Sequence, residues 1–183
     1  MIFNNKLIFF IPALFGAGMF FSCENDLENV KRITATDDSP DQIINNVHTL
    51  YSEFGEVRFE IIATRMETYS KPENKTLFKN GLQVNFFKSK DSIESTLTAD
   101  YAELHEAKSY LLARNKVIFT NFEKNQTLKT EELFWDQQTK RIRTEKAFEV
   151  IGESSYVVGY GLDANETFSE YNAHNVIGEY KEK

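Results

Sequence analysis

Cysteine is almost absent. The 183 residues hold one, Cys23, so no internal disulfide can form and packing has to supply the stability. Proline is scarce at three residues and glycine counts eight. The three histidines, His48, His105 and His174, follow no metal-ligand spacing and read as surface residues. Positive charge is in deficit: 21 Lys and Arg stand against 28 Asp and Glu, a net −7. A chain without a basic excess is a poor fit to nucleic acid.

What is present is apolar and aromatic. Hydrophobic residues make up 41%, with 16 Phe and 8 Tyr, enough for the core of one domain.

The first residues, 1–6, carry a single charge, Lys6, and Leu7–Phe21 carry none. A short basic end, an apolar run and a small residue at a cut describe a secretory signal. Fifteen helical residues span about 22 Å, less than the roughly 30 Å of a bilayer core. Phe20-Phe21-Ser22-Cys23 resembles a relaxed lipobox, with the small Ser22 in place and two bulky phenylalanines as departures. That likeness implies diacylglycerol on the Cys23 sulfur and cleavage after Ser22. Several acyl chains at about 0.8 kcal/mol per buried CH₂ hold where one does not. An uncleaved, single N-terminal transmembrane anchor is the alternative. A chain starting at Cys23 loses Lys6 and carries −8.

The expected organisation is a signal peptide over 1–22, a flexible tether over 23–38, a folded domain over 39–178 and a charged tail over 179–183. Ser39-Pro40-Asp41-Gln42 offers an N-cap, a first-turn proline and a capping box. Ile43, Ile44, Val47, Leu50, Tyr51 and Phe54 follow at helical spacing, and Gly55 sits where a helix stops, so one short amphipathic helix is expected here. From Glu56 the period becomes two. Strands are expected over 57–68, 81–88, 92–103, 110–122, 126–136, 141–151, 155–163 and 167–176, an all-β pattern.

A weak repeat has an offset of 31 residues. Leu97–Glu103 reads like Leu128–Phe134, and Ala113–Phe119 like Thr144–Val150, while Val158–Asp163 falls where a third copy would begin. Stacked strand pairs bury a continuous interior, and a rolled sheet follows more naturally than a closed barrel.

The segments Leu97–Ala102 and Leu128–Leu133 with Trp135-Asp136, the step Ile142-Arg143-Thr144, and Gly159–Ala164 together resemble the LptC family of lipopolysaccharide export, over about 39–178. The resemblance implies an antiparallel twisted half jelly-roll, boat-shaped, with an apolar interior. It implies a non-enzymatic carrier on the periplasmic side of the inner membrane. Lipopolysaccharide would come from LptF/LptG-like permease subunits of an ABC transporter and go to an LptA-like periplasmic bridge protein. The N-terminal edge would meet the transporter and the C-terminal edge the bridge. A lipid anchor at Cys23 departs from the family's usual transmembrane helix.

No catalytic set or cofactor site is legible. Gly159-Tyr160-Gly161 has no helix behind it and reads as a bend, not a phosphate loop. Glu131 and Glu132, adjacent on a strand, are expected on opposite faces. What remains is an inward apolar set: Val84, Phe86, Leu97, Ala99, Tyr101, Leu112, Val117, Phe119, Leu133, Trp135, Ile142, Phe148, Val150, Val158 and Leu162. Two readings stay open: an exposed trough that takes acyl chains, or a closed core in a tethered scaffold that joins partners by strand addition.

Overall fold

A computed structural model describes residues 39–89 and 92–181. The expectations for Cys23, the signal peptide and the tether lie outside them. Nine strands form one antiparallel sheet in chain order: β1 (Gln42–Glu53), β2 (Glu56–Tyr69), β3 (Lys75–Ser89), β4 (Ser92–His105), β5 (Tyr110–Asn121), β6 (Gln126–Asp136), β7 (Arg141–Ile151), β8 (Ser155–Asn165) and β9 (Tyr171–Lys181). β1 and β9 are the two edges, so the sheet is open. A single 3₁₀ turn, Glu106–Lys108, is the helical element among the described residues.

The expected N-terminal helix is a strand. Ile43, Ile44, Val47 and Thr49 are β-branched and favour the pleat. The helical spacing comes from a kink. Asn46 is left-handed at φ 55°, and it and Thr64 opposite are left out of the β1–β2 ladder. The interior face therefore switches from Ile44 to Val47, a step of three that imitates a helix. Gly55 ends no helix either. Phe54 and Gly55, at φ 53° and 84°, form the two-residue hairpin turn that needs two positive φ values. Phe54 is wholly exposed there.

The same interruption crosses the sheet. The inward set steps from Ala99 to Ala102 in β4, from Thr130 to Leu133 in β6 and from Gly159 to Leu162 in β8. Register shifts mark the line in neighbouring ladders: Lys79/Leu82, Thr98/Tyr101, Arg114/Val117, Thr130/Phe134 and Thr144/Ala147. Asn80, Gly81, Asn115, Lys116 and Gly161 take positive φ along it. Bulges bend strands and raise twist, and this line, with extra residues in β3, β5 and β7, folds the sheet across its middle.

The fold brings distant strands together. β2 and β6 are four strand spacings apart, roughly 19 Å along a flat sheet. Yet Phe59 of β2 and Trp135 of β6 have ring centroids 5.1 Å apart at 80°. Phe59 is near the start of β2 and Trp135 near the end of β6, so the two halves of the folded sheet face each other as leaves. One buried cluster draws on every strand from β1 to β8 and on the β8–β9 loop, with Tyr171 and Ala173 of β9 packed against it.

Candidate functional site in a ring-lined interior

Each sequence-expected inward residue has a definite place. Val84, Phe86, Leu97, Ala99, Val117, Phe119, Leu133, Trp135, Ile142, Phe148, Val150 and Leu162 are buried in the single cluster between the leaves. Tyr101 and Leu112 are not with them, and this corrects their expected orientation. Opposite the extra residues of β3 and β5, β4 is interrupted at Asp100 and turns over, so Ala102 points in and Tyr101 out. In the first part of β5 Leu111 and Ala113 are the buried residues, and Leu112 lies in the outer row Leu77–Glu103–Leu112–Phe134. Val158 yields in the same way to Val157. Glu131 and Glu132 stand together at the β6 interruption, both outside the buried set, between inward Thr130 and Leu133. His105 is not a surface histidine: it is buried and stacked on Tyr110 at 4.5 Å.

The outer face of β2–β7 is polar and tied. Glu67, with its side chain 5% exposed, accepts from Arg65 Nε at 2.7 Å and Tyr69 OH at 2.7 Å, and pairs with Lys79 Nζ at 2.6 Å. Tyr101 OH donates to Glu103 at 3.0 Å, and Arg114 bridges Glu103 and Glu132 at 3.1 and 2.9 Å. Burial, then the Glu103 carboxylate, pushes the Tyr101 phenol up to about 12. Hydrogen bonding from Lys79 holds the Glu67 carboxyl down at about 2, with Tyr69 next in effect. A depressed carboxyl stabilises the fold fully above its unfolded value near 4.5, and that contribution disappears as pH falls toward 2. About 1–3 kcal/mol is at stake, discounted because Lys79 and Arg65 are partly exposed. Thermal unfolding of Glu67→Gln between pH 2 and 6 will therefore show a shallower acid limb than the parent protein.

Inside, six contacts join seven rings in a row across the sheet axis. Tyr51 stacks on Phe59 at 4.6 Å, and Phe59 meets Trp135 at 5.1 Å. Trp135 meets Phe86 at 5.0 Å, and Phe86 stacks on Phe119 at 5.5 Å. Phe119 meets Phe168 at 5.9 Å, and Phe168 stacks on Tyr171 at 5.5 Å. The row runs from edge strand β1 to edge strand β9. The sequence reading found Phe86, Phe119 and Trp135 of it and missed Tyr51, Phe59, Phe168 and Tyr171. Tyr51 lies in the expected helix, and Phe168 falls inside the expected strand 167–176, whereas the strand starts only at Tyr171 and Phe168 belongs to the loop before it.

At the β1 end the interior opens into a cavity of about 380 Å³, within the roughly 300–1,000 Å³ of small-ligand sites. Thr49, Tyr51, Phe59, Ile61, Phe86, Leu104 and Trp135 line its apolar part, and Glu53, Arg58, Glu106, Lys140 and Glu166 its charged part. Lys140 lies 3.7 Å from Glu53. Burial pushes the Glu166 carboxyl up, opposed by the charges of Lys140 and Arg58. Two larger grooves, about 570 and 690 Å³, run along the fold line past Lys116 and Ile118 and are open to solvent. Among the described residues, no cluster of side chains is suited to hold a metal ion. No described helix is long and apolar enough to cross a membrane.

An antiparallel roll with an apolar interior is what the family resemblance implies, and a direct comparison decides the matter. Residues 10–174 match the family described as lipopolysaccharide-assembly, LptC-related. The chain belongs to the LptC family. No curated protein matches it. As an LptC-family member it takes part in lipopolysaccharide transport, and the family is a transport component, not a group of enzymes. For this LptC protein the interior is accordingly the candidate site, since acyl chains need apolar surface and the outer face of β2–β7 is an ionic lattice.

Proposed function

We propose that this LptC-family chain is a non-enzymatic lipopolysaccharide carrier. It accepts lipopolysaccharide from an inner-membrane ABC transporter with LptF/LptG-like permease subunits. It passes the acyl chains along its interior to an LptA-like bridge protein, for assembly at the outer membrane. A lipid on Cys23 would hold it on the periplasmic face of the inner membrane. The observation that carries the reading is the ring row from β1 to β9, reached from solvent through the 380 Å³ cavity. Burial of apolar area is non-directional, at about 25 cal/mol per Å². Such a surface suits a cargo that has to slide. The β1 and β9 edges offer unpaired backbone groups for partner strands.

The test is a photo-crosslinker placed at Phe86 or Phe119, compared with the outward sites Tyr101 and Lys129. Lipopolysaccharide labelling at the inward pair, and little at the outward pair, supports the carrier; equal labelling at all four sinks it. A tethered scaffold that binds no lipid is favoured by one observation, the complete burial of Leu97, Phe119 and Leu133. It predicts no labelling anywhere.

A further inference from the structure

The β8–β9 connection, Glu166–Glu170, does more than turn the chain. Phe168 is wholly buried, although it lies in a loop, and it has a left-handed backbone at φ 53°. A bulky residue rarely adopts that conformation without a surrounding structure that enforces it. The enforcement comes from the opposite leaf. Asn121, at the far end of β5 and itself fully buried, donates Nδ2 to the carbonyl of Thr167 at 2.8 Å. Gln126, at the start of β6, donates Nε2 to the carbonyl of Phe168. Within the loop, Asn165 holds the shape: its Oδ1 accepts from Ser169 N at 2.9 Å and Glu170 N at 3.2 Å, and its Nδ2 donates to Ser169 Oγ at 2.7 Å. The loop is thus a preformed unit, attached across the trough by two side-chain amides and by none of the strand ladders.

Resting on the carrier reading, we propose that Phe168 is a built-in occupant of the acyl path, displaced when lipid arrives. Its ring fills the stretch of the row between Phe119 and Tyr171, on the way to β9. Glu166, two residues before it, lines the cavity at the other end, so a chain entering there meets this loop. Withdrawal breaks the two amide contacts and the Glu166 N–H bond to the Lys140 carbonyl, and leaves every strand pairing whole. An acyl chain restores the apolar burial that the phenyl ring gives up, so the exchange is close to balanced and reversible. The empty protein keeps a filled interior, and the filled one opens toward β9.

The experiment uses the full-length protein in detergent micelles with purified lipopolysaccharide as the probe. 4-Fluorophenylalanine at position 168 reports its surroundings by fluorine NMR, and a crosslinker at Phe119 reports lipid occupancy. The expected result is a move of the fluorine resonance to a solvent-exposed shift as Phe119 becomes labelled. The double variant Asn121→Ala/Gln126→Ala should bind lipopolysaccharide about tenfold tighter, because less of the affinity is spent on withdrawing the loop. Labelling at Phe119 with an unmoved fluorine signal overturns the displacement and leaves the carrier reading standing. No labelling overturns both. If the double variant does not fold, the fluorine signal of the otherwise unaltered protein decides alone.

Discussion

Trp135→Ala is expected to lower the unfolding free energy by about 3–5 kcal/mol, the range for removing a large aromatic from a core. Trp135 is 1% exposed and joins the leaves, touching Phe59 of β2 and Phe86 of β3 from the far half of β6. No backbone ladder links those strands to β6, so side chains alone hold the leaves together there. Its loss leaves a void that neither leaf can fill without moving. Urea unfolding of the purified domain reads the effect. Phe54→Ala is the control, because that ring is fully exposed at the β1–β2 hairpin tip, and its removal should change stability by less than about 0.5 kcal/mol. Equal midpoints for the two variants would mean that the leaves do not depend on the ring row.

The contrast between these two aromatics shows what was legible beforehand. Trp135 was placed correctly because β6, Gln126–Asp136, has clear turns at both ends and was bounded correctly from sequence, as was β7, Arg141–Ile151. Phe54 was misplaced onto a helix face. The cause is the fold line. Period-two reasoning assumes an uninterrupted pleat, and here bulges in β3, β5 and β7 break the alternation across the sheet at mid-length. In β1 the kink at Asn46 counterfeits a helix; in β4 the interruption reverses Tyr101; in β3 the expected strand starts at 81, whereas the strand starts at Lys75 and carries Asn80-Gly81 at mid-length. Where two apolar residues are adjacent, as in Leu111-Leu112 and Val157-Val158, alternation cannot choose between them without the register of the neighbouring strand.

The 31-residue repeat carried more information than its sequence suggested. Leu97 and Leu128, Ala99 and Thr130, and Ala102 and Leu133 are equivalent by that offset, and all six are buried, with the interruption at the same place in both copies. Ala113 and Thr144, Val117 and Phe148, and Phe119 and Val150 are buried likewise in β5 and β7. The repeated object is therefore a folded strand pair, corner included. Thr130 and Thr144 show how the corner tolerates polar atoms: their hydroxyls are 3.2 Å apart, and Thr130 also donates to the Ala147 carbonyl at 2.9 Å. A repeat that preserves a corner extends a trough along one axis.

Thr49→Asp separates a carrier from a scaffold most sharply. Thr49 is exposed, pairs with Ile61 across β1–β2, and lines the cavity with Tyr51 on the inward face of the edge strand. Its side chain makes no hydrogen bond among the described residues, so the substitution should cost the fold less than about 0.5 kcal/mol. An acyl chain drawn past it would have to bury a carboxylate against hydrocarbon, and even a neutral polar group left unpaired in that setting costs about 2–7 kcal/mol. Lipopolysaccharide crosslinking at Phe119 should then fall at least tenfold while the melting temperature holds. Thr49→Val, which keeps the shape and removes the polar atom, should label as well as the parent protein. Undiminished labelling in the Asp variant would mean that lipid does not pass the β1 opening, and the cavity there would lose its role.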